Sequence, residues 1–294
     1  MPELPEVEAL AGFLRERLVG RAVNGVEIGA ISALKTYDPP PTALGGLTVT
    51  GVNRHGKFLD LDVDGLHLIF HLARAGWLRW SDTAPKAMLK PGKSPLALRV
   101  RFTPNLDDPD DESTPGFDLS EAGTRKRLAI YVVRTPDEVP GIHTLGPDPL
   151  DEAFTRDVFA LILGRNQQVK GLLRDQSVIA GVGNAYSDEV LHAAKMSPFA
   201  MAAKLSDDQV TALYEALQNT LRTAIAAAAG KPAKELKDAK RAGLAVHART
   251  GEKCPVCGDV VREVSFADSS LQYCATCQTG GKILADRRMS RLLK

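Results

Sequence analysis

Apolar residues recur at helical spacing from Pro5 to Leu18, where Val7, Leu10, Phe13 and Leu14 share one face and predict a first helix. The period then falls to two. Val23–Ile28, Leu47–Val52, Phe58–Val63, His67–Leu72, Leu96–Phe102 and Leu128–Val133 read as strands, and Asp60 and Asp62 alternate with Leu59, Leu61 and Val63 as in a half-buried sheet. Short strands with no helices between them predict an antiparallel sandwich or barrel. Past Pro136 the helical period returns over Glu152–Leu163, Val169–Arg174, Ala185–Ala194 and Ser206–Ala229. The last of these opens on a Ser206/Gln209 capping box, carries Val210, Leu213, Tyr214, Leu217 and Leu221 as one stripe, and stops at Gly230. An α+β multidomain chain is expected, with a helix plus β-sandwich domain at 1–135 and a hinge at 136–150 holding Pro136, Pro140, Pro147 and Pro149. A helical domain at 151–250 and a cysteine-bearing segment at 251–294 complete it.

Composition changes the picture only where it is uneven. The 294 residues carry a net charge of +1, yet Lys231 to Lys294 hold 13 Lys/Arg against 7 Asp/Glu, leaving 24 against 29 in the rest. A basic C-terminal region of this kind suits a nucleic-acid partner. Asp107 to Glu121 holds seven carboxylates and no base, and reads as a solvated, mobile loop turned away from phosphates. With no apolar run near membrane-spanning length and no signal-like start, the protein is expected in the cytoplasm, without a membrane partner.

Three groups of residues carry candidate chemistry. The cysteines occur as Cys254-x2-Cys257 and Cys274-x2-Cys277, two pairs separated by 16 residues, which is the spacing of a four-thiolate zinc site on a β-hairpin. With every position filled by sulfur, the zinc is structural. Gly181-Val182-Gly183-Asn184 forms a tight turn at a helix start, a place that binds phosphate, with Asn184 as a plain N-cap the alternative. At the N-terminus, removal of Met1 would free the Pro2 nitrogen, a secondary amine less basic than a lysine and therefore nucleophilic near neutral pH. The plainer reading is that Pro2 opens a helix whose positive end Glu3 and Glu6 complement.

MPELPEVEAL resembles the N-terminus of the formamidopyrimidine-DNA glycosylase and endonuclease VIII family. The likeness recurs in Lys57 within RHGKFL, in HLARAG, in LGPDPL from Leu145, in AGVGNAYSDE from Ala180 and in the four cysteines. The resemblance implies a bifunctional enzyme of base-excision repair: Pro2 displaces a damaged base, expected to be an oxidised one, at C1′ of double-stranded DNA and forms a Schiff base, and elimination then nicks the strand. Glu3 would protonate the opening sugar, which requires a raised pKa, Lys57 would serve the elimination and contact phosphate, and Glu6 would line the base pocket. The helical domain becomes a helix–two-turn–helix in which Lys170, Gly183 and Asn184 meet the phosphates beside the lesion, and the chain acts as a monomer at the nucleoid.

The sequence also departs from the family pattern. Arg74 stands in HLARAG where relatives have Met, and Thr124-Arg125-Lys126-Arg127 lacks the aromatic residue of an Arg-Phe pair. Arg74 and Arg125 are the candidates for stacking in the duplex void or contacting phosphate. Ser269 takes the place of an arginine five residues before Cys274, Arg262 lies elsewhere on the hairpin, and Lys231–Lys253 is shorter than in relatives that fold a loop over oxidised guanine. A basic tail follows Asp286. These departures leave an alternative, a relative that binds abasic or damaged DNA without turnover.

Overall fold

The computed structural model describes residues 2–90, 92, 95–105, 111–122, 125–267 and 269–286. Met1, Thr124, residues 107–110 of the acidic stretch and the tail from Arg287 lie outside them. The chain divides into two compact units, one of Met1–Thr144 with Ala228–Asp238, the other of Leu145–Ala227 with Ala239–Lys294.

The first unit begins with α1 (Leu4–Leu18), whose start is set by Glu3 and Glu6 in a reciprocal capping box and by Pro5 in the first turn, where its missing N–H costs nothing. Eight strands follow: β1 (Val23–Ile28), β2 (Val49–His55), β3 (Phe58–Val63), β4 (Leu66–His71), β5 (Gly76–Ser81), β6 (Leu96–Phe102), β7 (Gly116–Glu121) and β8 (Ala129–Val133). They form two antiparallel sheets in the orders β1-β6-β7-β5 and β2-β3-β4-β8. Inward side chains of both sheets, among them Leu61, Phe70, Leu98, Phe102 and Phe117, make one buried core with Leu10 and Leu14 of α1. This is a β-sandwich, with the short α2 (Pro140–His143) closing the unit's main stretch.

Two strands escape the hydrophobic pattern. β7 lies inside the stretch read as a solvated acidic loop, and that expectation is corrected: Phe117 and Leu119 are core, and Asp118 and Glu121 are themselves buried. Register explains how a carboxylate enters a central strand. Asp118 stands between Arg79 and Arg99 on the two flanking strands and accepts hydrogen bonds from them at 2.9 and 2.7 Å. Burial pushes its pKa up, but the two guanidinium groups outweigh that and hold it below the usual carboxylate value. β5, a Gly-Trp-Leu-Arg-Trp-Ser segment, was hidden by its exposed Arg79.

In the second unit α3 (Arg156–Leu163), α4 (Val169–Arg174), α5 (Asn184–Ala193) and α6 (Asp207–Ala228) follow in order. The Ser206/Gln209 capping box forms, and Val210, Leu213, Leu217 and Leu221 are buried. The segment after α6 is no open loop. Ala228, Ala233 and Leu236 join the core of the first unit, and α7 (Leu236–Gly243) begins there. β9 (Val261–Ser265) and β10 (Ser270–Cys274) then pair as a hairpin that runs into α8 (Ala275–Thr279). Among the described residues no helix is long and apolar enough to cross a membrane.

Candidate functional site

Pro2 precedes α1 and is partly exposed, while Glu3 and Glu6 are buried behind it. The Glu3 amide donates to Glu6 Oε2 at 2.8 Å and the Glu6 amide donates back to the Glu3 carboxylate, so both acids are oriented by the backbone they cap. One turn along α1, Glu8 accepts from Arg54 Nε at 2.6 Å, and Arg54 Nη1 donates to Gly56 O at 3.3 Å. This chain of contacts ties α1 to the β2–β3 turn that holds the buried Lys57. Glu8 and Arg54 were not singled out in the sequence. The Arg54-His55-Gly56-Lys57 run was the available signal, since Gly56 has φ of 55° and marks a turn.

His71 is a second residue that sequence reasoning passed over. It pairs with Phe58 across β3 and β4, with ring centroids 4.8 Å apart, and its Nδ1 accepts from the Ala73 amide at 3.2 Å. Burial first, and the Lys57 ammonium second, lower its pKa to about 4. The ring is neutral at pH 7, with Nδ1 as acceptor and the proton on Nε2.

Arg74 and Arg125 are both exposed, on the β4–β5 and β7–β8 connections. The two connections are neighbours. β5 pairs with β7 up to Gly76 and Glu121, and the Ala122 amide donates to Ala75 O at 3.1 Å. Gly76 is required here, because a Cβ on it would lie 2.1 Å from Leu72 O. The Glu121 carboxylate anchors the cationic run by accepting from the Arg127 and Leu128 amides, and Lys126 Nζ donates to Glu121 O.

In the second unit the glycine turn sits at the head of α5. Gly183, not Asn184, is the N-cap, so the capping role weighed for Asn184 is corrected: its side chain is freed for another contact and donates through Nδ2 to Ser270 O at 2.8 Å, while its Oδ1 is buried without a hydrogen-bond partner. Gln176 holds the turn by accepting from the Gly181 amide at 3.0 Å and donating to Val182 O at 2.7 Å. Gly146 of LGPDPL packs against Ser177 and Val178, in the segment that leads into this turn, where a Cβ would lie 2.5 Å from the Val178 carbonyl carbon. Lys170 on α4 is buried, and its ammonium donates to Asp188 Oδ1 at 2.6 Å, Ser187 Oγ at 2.8 Å and Asn184 O at 3.3 Å. Asp188 Oδ2 meets His247 Nδ1 at 2.8 Å. Beside it the Glu189 carboxylate accepts the Ala245, Val246 and His247 amides, and burial still raises its pKa.

The four cysteine sulfurs lie within 4.8 Å of one another, with Cys254 and Cys277 3.9 Å apart and Cys257 and Cys274 3.3 Å apart. A disulfide needs about 2.05 Å, whereas sulfurs about 2.3 Å from a tetrahedral zinc stand roughly 3.8 Å from each other. The residues fit the ion. One structural zinc is held by Cys254, Cys257, Cys274 and Cys277, and it fixes the base of the β9–β10 hairpin. Ser269 lies in the turn of that hairpin, where its carbonyl accepts the Phe266 amide at 2.8 Å, and Arg262 stands on β9 opposite Tyr273.

Residues 1–118 match the formamidopyrimidine-DNA glycosylase N-terminal domain, 145–234 the formamidopyrimidine-DNA glycosylase H2TH domain, and 251–280 the zinc finger found in FPG and IleRS. The chain belongs to the formamidopyrimidine-DNA glycosylase family, whose members are DNA glycosylases with abasic-site lyase activity. It is 61% identical over 155 residues, 53% of this chain and 98% of the relative, to an uncharacterized formamidopyrimidine-DNA glycosylase-like protein of Mycobacterium tuberculosis. It is 31% identical to the formamidopyrimidine-DNA glycosylase of Desulforamulus reducens, covering 95% of this chain and 99% of that one. Among solved structures, the Lactococcus lactis enzyme in complex with DNA containing an abasic site superposes with a TM-score of 0.80 at 26% identity, over 94% of this chain and 99% of that one.

Proposed function

We propose that this protein excises damaged bases from double-stranded DNA and cleaves the resulting abasic site. The observation that carries the reading is the head of α1, where Pro2 stands in front of two carboxylates oriented by their own backbone and is tied through Glu8 and Arg54 to the turn of Lys57. The Pro2 nitrogen, freed of Met1, attacks C1′ as the C1′–N bond to the base breaks, and the proton lost from the resulting ammonium balances the one taken up by the departing base, which restores the nitrogen lone pair. The nitrogen lone pair then forms the C=N⁺ bond of an iminium as the C1′–O4′ bond breaks, with Glu3 protonating the ring oxygen. Loss of a C2′ proton and of the 3′ phosphate follows, and Lys57 supports this step from the β2–β3 turn. Glu6 lines the space for the base.

The second unit supplies sequence-independent grip. Asn184 and Gly183 at the head of α5 meet phosphate there, where the helix dipole favours an anion. Lys170 adds its charge to the same turn, although its ammonium hydrogens are engaged by Asp188, Ser187 and Asn184 and must be partly released to reach a phosphate. Arg74 and Arg125, exposed on adjoining connections, take the positions at the strand opening. Functionally the chain is read as a catalytic domain at 1–135, a hinge at 136–150, a DNA-binding domain at 151–250 and a zinc finger with tail at 251–294, working as a monomer in the cytoplasm at the nucleoid.

The test is borohydride treatment of the Met1-processed protein with a duplex carrying an abasic site, followed by peptide mass spectrometry. A reduced adduct on Pro2, absent from Pro2→Gly while binding persists, is expected. A free Pro2 that binds the duplex but gives no adduct removes the lyase chemistry and leaves the binding-only alternative.

A further inference from the structure

The zinc ligands are supported by a residue that lies outside both the thiolate set and the DNA-contact set. His192, near the C-terminal end of α5, is buried and places Nε2 3.3 Å from Cys254 Sγ. Cys254 is itself buried, packed with Val246, Val261 and Cys274. A thiolate bound to zinc has no proton to give, so the proton in this contact belongs to the imidazole. Four thiolates on one Zn²⁺ leave about two net negative charges, which an apolar surrounding penalises unless N–H donors point at the sulfurs. Groups that hydrogen-bond to metal ligands orient them and tune the site.

We propose that His192 serves the zinc centre from outside its coordination sphere, donating Nε2–H to the Cys254 thiolate and strengthening retention of the metal. The contact also joins the metal to α5, the helix whose first residue, Asn184, holds Ser270 O of the same hairpin. The zinc module is thus tied to both ends of one helix.

The experiment uses the full chain, purified with zinc, as wild type, His192→Phe and His192→Gln. Metal affinity is read by competition with a chromophoric chelator, and the thiolate-to-metal charge-transfer band is read after cobalt replaces zinc. His192→Phe keeps the packing volume but not the donor. It is expected to hold zinc about 10–100-fold more weakly, with the band moved to longer wavelength because a thiolate without its donor gives up an electron more easily. Glutamine places an amide nitrogen near the Nε2 position and is expected to restore both readouts. An unchanged affinity and band in His192→Phe overturn the proposal, as does a loss that glutamine leaves unrepaired while a melt at saturating zinc shows a folded chain. Should His192→Phe not fold, His192→Gln is set against His192→Asn, whose amide is too short to reach the sulfur. Equal zinc affinity of these two also overturns it. None of these readouts uses DNA, so the result stands apart from the proposed repair activity.

Discussion

Lys170 and Asp188 meet at 2.6 Å with side chains 6% and 0% exposed, which makes them a desolvated ion pair at the base of the glycine turn. Removing one member strands the other's charge. Lys170→Met is expected to destabilise the second unit by about 3 kcal/mol, the low end for a broken buried pair because His247 still faces Asp188. Adding Asp188→Leu should recover most of that loss, since an apolar pair needs no compensation. Chemical denaturation of the three chains checks the ordering, and a Lys170→Met midpoint equal to wild type would contradict it.

The depressed His71 pKa makes a pH prediction for the first unit. Because the folded value of about 4 lies below the unfolded 6.5, the unfolded chain binds protons first as pH falls through that window. Stability therefore drops between pH 6.5 and 4, by about 3 kcal/mol in total. His71→Gln should flatten this part of a stability-versus-pH curve. In Lys57→Met, NMR titration of the ring should show an upward shift that is only partial, because burial is the larger cause.

For DNA binding, Arg74→Ala and Arg125→Ala are expected to weaken association with little dependence on sequence. If each guanidinium neutralises one phosphate, each change lowers the slope of log affinity against log salt by about 0.9. A shift in opposite-base preference at constant slope would instead mark stacking in the duplex void.

Withdrawal of zinc should act on the second unit alone. With the Cys254–Cys277 cluster open, the β9–β10 hairpin loses its base, and Asn184 loses the Ser270 carbonyl to which it donates. Calorimetry of chelated protein is expected to show an early transition for the second unit with the sandwich transition unmoved. A single unchanged transition would count against the zinc as a folding element.

The outline of the fold was legible where periodicity was undisturbed. Phe58–Val63 and the apolar stripe of α6 were plain in the sequence, because nothing polar interrupts their inward faces. Charge concealed the rest. Asp118 made β7 look like loop, since a single sequence does not reveal that Arg79 and Arg99 flank it in register. Similarly, the cysteine spacing announced the zinc, but not His192, which approaches from a helix 62 residues earlier in the chain. Glu8, Arg54, Gln176 and His71 share that fate: each acts through a partner distant in sequence or through a backbone carbonyl, which no motif records.

The return of Ala228, Ala233 and Leu236 to the first unit's core makes the two units topologically interleaved. Expressed alone, residues 1–144 would carry an apolar notch where those three side chains belong, and would be expected to self-associate or melt early. Supplied in trans, a peptide spanning 228–238 should fill the notch, which turns that segment into a handle for completing the first unit from two pieces on demand.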